Sequence, residues 1–279
     1  MKIGFIGAGK VGFSFGKYFT MHQLSVSGYY SRNPQSAQNA AEFTQTKKFD
    51  TLEAVIYESD ILFLTVPDDA IASVWEKMKQ YPIAEKYICH CSGAKSSSLF
   101  SESDTYHVYT YSLHPILAIS DCYESYHQLT SAFFTMEGNE AHSQVMIDIM
   151  KATGNPWKMI TAEQKPLYHA ACVASSNLMV GLMEFSFHHL MACGFTEEEA
   201  QNAFTPLAEK NLHQIMSQGT VSALTGPIER NDLDTVRLHL VHLNQEDVRF
   251  YQIVSQYVLS VAKRKHPDRD YGQMEELLS

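Results

Sequence analysis

A glycine-rich turn near the start of the chain has the residue types and spacing of a phosphate-binding loop. Gly7, Gly9 and Gly12 follow a short apolar run, and a helical pattern starts within the same segment. In this context Gly7 permits a tight turn, Gly9 lets a pyrophosphate approach the backbone, and Gly12 lets helix and strand pack closely. The pyrophosphate then lies over the helix N-terminus, at Lys10 and Val11. We predict a dinucleotide-binding βαβ unit, and the alternative is a turn without a ligand.

The residues after the second apolar run indicate which dinucleotide binds. An NAD-selective site places Asp or Glu about 20 residues beyond the glycines to bind the ribose hydroxyls, whereas Ser31 and Arg32 lie in that region here. Arginine binds a 2′-phosphate with two hydrogen bonds and stacks on adenine, and the serine hydroxyl is a second donor. These residues favour NADP over NAD. The alternative is a surface arginine that follows a strand.

Two further turns follow predicted strands. Val66, Pro67 and Asp68 form the first of these turns, and Ser92 and Gly93 form the second. An open parallel sheet binds its ligand outside the carboxyl ends of its strands, where both turns are expected. We therefore predict that these residues line the nicotinamide end of the cofactor site.

Hydride transfer also requires a proton donor, for which histidine and lysine are suitable. His114 follows a predicted strand at the end of the first domain, where a ligand cleft is expected, and a purely structural histidine is the alternative. His169 and Asn177 lie on an otherwise apolar helix. Each of them either faces the cofactor or makes an internal hydrogen bond between helices.

Two other polar groups are predicted to serve structure. Arg230 has the fork geometry to bind a substrate carboxylate, but a surface ion pair with Glu229 or Asp234 is favoured. His239, His242 and Glu246 recur at helical spacing and could hold a metal, but no fourth ligand accompanies them, and a solvated or interfacial face is favoured. We predict no metal site.

The elements that position these residues follow from the hydrophobic pattern. Short apolar runs alternate with helical patterns in the first half, which indicates an α/β domain with a mostly parallel, doubly wound sheet. From residue 161 onward a 3.6-residue period predicts helices at 163–192, 196–217, 233–243 and 246–265. Gly154-Asn155-Pro156 is the clearest break. We predict a dinucleotide-binding domain at residues 1–155 and an all-helical substrate and dimerisation domain at residues 156–279.

Composition excludes several classes of function. The formal net charge of −10 argues against nucleic acid as a partner, because a phosphate backbone requires a basic surface. The five cysteines lack CxxC spacing, which favours reduced thiols and a cytoplasmic protein. Since we find no signal peptide and no run of about 18 uninterrupted apolar residues, we expect neither export nor membrane insertion.

Several motifs resemble a known superfamily. GFIGAGKVG, YYSRN and LFLTVPDDAI are similar to the cofactor domain of the deazaflavin-linked NADP oxidoreductases, the pyrroline-5-carboxylate reductases and 6-phosphogluconate dehydrogenase-like proteins. HCSGA, SLHPI, YHAACVASSNL and ALTGPIERND resemble one subgroup, in which a Rossmann domain precedes an all-helical domain of undefined function. The likeness spans nearly the whole chain, and its first half implies an NADP-dependent oxidoreductase.

The resemblance also implies catalytic positions. In the β-hydroxyacid dehydrogenases of this superfamily, a lysine and an asparagine four residues later act at the substrate. Lys165 is followed at that spacing by His169, and Asn177 lies two turns beyond, so the histidine replaces the family's asparagine. A histidine can share the orienting role and adds a proton that titrates near neutral pH.

Together these observations predict hydride transfer between NADP and a small carbonyl, imine or hydroxy-acid substrate. One alternative is a non-catalytic protein that binds NADP as a redox sensor or scaffold. Another is hydride exchange between a deazaflavin and NADP. Because the long helix after residue 161 is apolar on much of its surface, we also expect a homodimer.

Overall fold

The computed structural model describes residues 1–279. The chain divides by internal contacts into two compact units, Met1–Ser176 and Asn177–Ser279. The first unit holds the sheet and the second is helical, which confirms the predicted fold class. The division falls after Ser176, later along the chain than the predicted boundary after Asn155.

An eight-stranded sheet forms the centre of the first unit. The strands are β1 (Ile3–Ile6), β2 (Val26–Tyr30), β3 (Lys47–Lys48), β4 (Ile61–Leu64), β5 (Tyr87–His90), β6 (Tyr109–Pro115), β7 (Phe134–Gly138) and β8 (Trp157–Met159). Their order is β3-β2-β1-β4-β5-β6-β7-β8, and only β6 and β7 pair antiparallel. The sequence did not predict β8, because three residues are too few to show a period.

Helices cover both faces of this sheet. They are α1 (Lys10–Met21), α2 (Pro34–Thr44), α3 (Leu52–Tyr57), α4 (Ile71–Met78), α5 (Ser125–Gln128), α6 (Gln144–Thr153) and α7 (Lys165–Ser175). Alternate residues of β4 belong to different cores: Phe63 packs with Phe5 on one face, and Leu62 packs with Trp75 on the other. The sheet is therefore buried on both faces, as a doubly wound parallel sheet requires.

The second unit contains six helices. They are α8 (Asn177–Ala192), α9 (Glu197–Ala223), α10 (Pro227–Arg230), α11 (Leu233–His242), α12 (Gln245–Lys265) and α13 (Gly272–Leu278). Its core gathers residues of α10 to α13, including Ile228, Val236 and Leu259. By contrast, α8 has no buried residue. The expected ion pair of Arg230 is absent, because Glu229 pairs with His266 and Asp234 pairs with Arg237.

The predicted helix at 163–192 is interrupted. Residues Ala162–Ala192 are long and apolar enough to cross a membrane by length and composition alone. The backbone leaves the helical region at Ser176 (φ −127°, ψ −75°). The break separates α7, of 11 residues, from α8, of 16 residues, and each is shorter than the roughly 20 residues that a transmembrane helix needs.

The polar residue at the predicted domain break is a buried hydrogen-bond centre. Asn155 is 5% exposed and accepts a hydrogen bond from the Tyr18 hydroxyl at 2.7 Å. Its amide nitrogen donates to the carbonyls of Leu129 (2.8 Å) and Ala132 (3.0 Å). Asn155 thus joins α1 to the segment before β7, so the region around it belongs to the first unit.

We expect Asn155→Ala to lower the free energy of unfolding by about 2 kcal/mol or more, because it removes three buried hydrogen bonds and leaves the Ala132 carbonyl unpaired. Urea unfolding followed by circular dichroism measures this loss. Asn39→Ala is the control, since the Asn39 amide makes only an exposed contact with Gln35, and it should cost less than about 0.5 kcal/mol. Equal effects of the two substitutions would contradict the role of Asn155.

Candidate functional site at the carboxyl edge of the sheet

A cavity of about 260 Å³ opens beside the glycine-rich turn. Its lining includes six of the predicted cofactor residues, namely Gly7, Gly9, Ser31, Arg32, Val66 and Pro67. Lys77 of α4 also lines it, whereas no aspartate or glutamate does. The chain as a whole has a net charge of −10, but this cavity carries two basic side chains and no carboxylate. It is therefore a local site for an anionic ligand.

The glycines of the turn fit a dinucleotide. Gly7 has φ +108°, a conformation that favours glycine, and a Cβ on Gly12 would lie 2.6 Å from Thr65 Oγ1. Gly9 is different, because a Cβ there would have only the Thr65 carbonyl oxygen near it, at 3.9 Å. Open space therefore lies over Gly9, where the pyrophosphate of a dinucleotide would approach.

The start of α1 provides donors for that pyrophosphate. No side chain caps this helix at Gly9, so the amides of its first turn remain available to phosphate oxygens. Lys10 and Val11 belong to this turn but do not line the cavity, and Gly12 is buried against Thr65. These features fit the phosphates of NADP.

The turns after β4 and β5 are joined by a hydrogen bond. The Ser92 hydroxyl donates to Asp68 Oδ2 at 2.6 Å and accepts from the Lys95 amide at 3.0 Å. Asp68 follows Val66 and Pro67 of the cavity lining. This hydrogen bond places Ser92 and Gly93 at the same edge of the sheet as the cavity. The sequence predicted both residues at this edge.

Two histidines converge on Gly93. A Cβ on Gly93 would lie 2.8 Å from His114 Nε2 and 2.8 Å from His169 Cδ2, so only glycine leaves both rings in place. His114 ends β6 and His169 lies on α7. Both histidines are half-buried, so each retains some contact with solvent. Asn177, the remaining predicted residue of the substrate helix, belongs to the second unit.

Lys165 lies inside the first unit. Its side chain is 1% exposed, and Nζ donates to the Ser92 carbonyl at 2.8 Å and to Ser112 Oγ at 2.6 Å. Burial lowers the pKa of Lys165, and the nearby carboxylate of Glu137 opposes that shift. Lys165 therefore joins the start of α7 to the turn after β5 and to the middle of β6.

Tyr168 completes the cluster, and sequence reasoning missed it. The Tyr168 hydroxyl lies 2.6 Å from His114 Nδ1. Its position three residues after Lys165, on the same helix face, was the available signal. Lys77 was missed because the sequence contains no motif that joins α4 to the glycine-rich turn.

Burial also determines the charge of the histidines. It lowers the pKa of His114 to about 4, and the positive charge of Lys165 and the neighbouring His169 add to this shift. His90 at the end of β5 is fully buried, and burial lowers its pKa to about 4 as well. Both rings are therefore neutral at pH 7.

Two family models match the chain. Residues 2–92 match the family described as NADP oxidoreductase coenzyme F420-dependent. Residues 132–258 match the family described as Domain of unknown function (DUF2520). These matches confirm the resemblance inferred from the motifs. No curated protein matches the chain.

Solved structures share the fold over nearly the whole chain. A protein from Thermotoga maritima is 21% identical with a TM-score of 0.70, and the match covers 98% of this chain and 99% of that one. An imine reductase from Aspergillus terreus is 13% identical with a TM-score of 0.61, covering 99% and 92%. Pyrroline carboxylate reductase from Plasmodium falciparum is 14% identical with a TM-score of 0.61, covering 100% and 98%. The family match over residues 2–92 supports oxidoreduction with a nicotinamide cofactor, and the neighbours show the fold.

The buried neutral His90 predicts a pH dependence of stability. Its pKa falls from 6.5 to about 4 in the folded chain, so the unfolded chain binds more protons between these values. Its contribution to stability is present above pH 6.5 and is lost as the pH falls towards 4, by about 1.4 kcal/mol per pH unit. Urea unfolding at a series of pH values should show this decline.

His90→Asn should make that decline shallower, even if the variant is less stable at pH 7. His127→Asn is the matched control, because His127 is exposed on α5, and it should leave the slope unchanged. The assignment of the pH dependence to His90 would be wrong if both variants had the slope of the unmodified protein.

Proposed function

We propose that the protein is an NADP-dependent oxidoreductase that transfers a hydride between nicotinamide and a small carbonyl, imine or hydroxy-acid substrate. The observation that carries the proposal is the cavity lined by Arg32 and Lys77 without a carboxylate. It adjoins an uncapped helix N-terminus and lies on the sheet edge where His114 and His169 converge. The cavity and the helix N-terminus suit the phosphates of a dinucleotide. The histidines at Gly93 suit proton transfer to or from a substrate.

Different residues of the chain would bind the cofactor and the substrate in such a reaction. When bound, the cofactor supplies or accepts the hydride. The first-turn amides of α1 bind the pyrophosphate, and Arg32 and Lys77 bind the 2′-phosphate. The bond between Asp68 and Ser92 fixes the turn that holds Gly93. His114 presents a ring nitrogen over Gly93, where it can hydrogen-bond the substrate oxygen or nitrogen.

The structural neighbours support this proposal. The imine reductase from Aspergillus terreus was solved with NADPH4 and dibenz[c,e]azepine, and pyrroline carboxylate reductase from Plasmodium falciparum was solved with NADP. Both of these structures contain a nicotinamide dinucleotide phosphate. The five free cysteines suit a reducing compartment, and we propose a cytoplasmic location.

Cofactor titration tests the proposal. We expect NADPH to bind more tightly than NADH, as measured by nicotinamide fluorescence, because only NADPH carries the 2′-phosphate. Arg32→Ala and Lys77→Ala should each weaken NADPH binding by about tenfold or more, equivalent to about 1.4 kcal/mol, with little effect on NADH.

Lys151→Ala provides the control for charge. It removes one positive charge from the exposed surface of α6, away from the cavity lining. NADPH affinity should be unchanged in this variant. If neither NADPH nor NADH binds the unmodified protein, the proposed function is wrong.

We further propose that the protein is a homodimer and that α8 and α9 form the interface. Large apolar side chains of these helices are exposed in the single chain, including Leu178 (62%), Val180 (70%) and Leu207 (62%). An apolar groove of about 550 Å³ lies between the same two helices. Apolar surface on this scale is covered by a partner in most soluble proteins.

Light scattering on the purified chain should give twice the monomer mass. Val180→Asp should shift the protein towards monomer, because a buried carboxylate at the interface would be unpaired. Tyr57→Asp, at an 80% exposed position on α3, should leave the mass unchanged. A monomeric unmodified protein would exclude the dimer.

A further inference from the structure

A short polar contact joins a tyrosine to a histidine in the cluster formed by His114, Tyr168 and His169, which we call the histidine cluster. Tyr168 Oη and His114 Nδ1 lie 2.6 Å apart, within the range of a strong hydrogen bond. The two rings meet at an interplanar angle of 83°, edge to face. His114 therefore has one ring nitrogen occupied by Tyr168, while the other, Nε2, lies over Gly93.

The charge state of the two groups leaves two arrangements, in which either the phenol or the Nδ1–H group donates. Burial keeps His114 neutral at pH 7, with a pKa of about 4, and raises the pKa of Tyr168, so the phenol keeps its proton. A neutral imidazole carries hydrogen on one nitrogen only. If the phenol donates to Nδ1, that hydrogen is on Nε2. The Nε2–H group then faces the space over Gly93.

The neighbouring groups favour this arrangement. The charged and titratable side chains that act on His114 are Lys165, His169, Asp68 and His90. Lys165 gives two hydrogen bonds to backbone and hydroxyl oxygens, and Asp68 accepts from Ser92. Cys172 and Thr135 adjoin Tyr168. Because Asp68 is already bonded to Ser92, Tyr168 is the partner that fixes the hydrogen of His114.

We propose that Tyr168 and His114 form a proton relay that serves a neutral substrate, meaning a ketone, an aldehyde or an unprotonated imine. The proposal rests on the proposed function and adds a residue, a direction of proton transfer and a substrate class to it. Lys165 is a positioning residue in this scheme, because it holds the first turn of α7, from which Tyr168 reaches His114.

During reduction, the hydride that a bound reduced nicotinamide would supply adds to the carbon of the C=O or C=N bond, and the heteroatom takes the electron pair of the π bond. That atom forms a new bond to the hydrogen of His114 Nε2, while Nδ1 takes the proton of the Tyr168 hydroxyl. Tyr168 is left as a phenolate, and His114 is left as a neutral ring with hydrogen on Nδ1. The resting state returns when Nδ1 gives its proton back to the phenolate and water supplies one proton to Nε2.

The relay also explains the class of substrate. An iminium ion is already protonated before reduction, so it needs no proton donor. A site for this cation would provide a carboxylate that is not bonded to another group. The cluster instead offers a neutral donor beside the buried cation of Lys165. A neutral acceptor that develops negative charge as the hydride arrives suits these groups better.

Nitrogen NMR of the full-length protein, labelled with ¹⁵N in its histidines, tests the relay without a substrate. We expect His114, assigned by loss of its signals in His114→Gln, to show a protonated Nε2 and an unprotonated, hydrogen-bonded Nδ1 from pH 5 to pH 8. In Tyr168→Phe the Nδ1 signal should move to the position of a free nitrogen, or the ring should change tautomer. Tyr257→Phe, which changes an exposed tyrosine, should alter neither signal.

Three results would overturn the relay: hydrogen on Nδ1 in the unmodified protein, an imidazolium ring at pH 7, or a His114 spectrum unaffected by Tyr168→Phe. Thermal unfolding of Tyr168→Phe establishes that the variant is folded, and His114→Gln, which removes the other partner, provides a second comparison. The NADPH titration described above is separate. Its failure overturns the proposed function, whereas the NMR result determines whether Tyr168 controls the hydrogen of His114.

Discussion

The buried ammonium of Lys165 is the constraint on which the arrangement of the site depends. A charged group inside a protein is tolerated when hydrogen bonds and opposite charge compensate the loss of water. Lys165 satisfies this requirement through the Ser92 carbonyl, Ser112 Oγ and the nearby Glu137. As a result, α7 begins beside the turn after β5 and the middle of β6. Tyr168 and His169, one helical turn later, are therefore brought to His114 and Gly93.

Glu137 supports the same corner of the fold. It is buried on β7, and its two carboxylate oxygens accept hydrogen bonds from the backbone amide and the hydroxyl of Ser97, each at 2.7 Å. Ser97 lies in the segment that follows the turn of Ser92 and Gly93. One carboxylate thus compensates the charge of Lys165 and holds the chain that leads away from the histidine cluster.

Much of this arrangement follows from the sequence, and the omissions have physical causes. The glycine spacing, Ser31-Arg32 and the strand-ending turns identified the cavity edge, because these signals are local. His114, Lys165 and His169 were predicted separately, and only the order of the strands brings them together. Lys77 carries no local signature, and the only local sign for Tyr168 was its spacing of three residues from Lys165. The break at Ser176 was missed because the 3.6-residue period continues across it.

The open N-terminus of α1 has a consequence for folding. Its first-turn amides have no side-chain cap, so a ligand phosphate at this position supplies contacts that the polypeptide alone does not. Any ligand that binds only the folded chain adds to its stability, by about 2.7 kcal/mol at a concentration one hundred times its dissociation constant. The lifetime of this protein in a cell would therefore depend on the supply of its dinucleotide, independently of whether a substrate is being turned over.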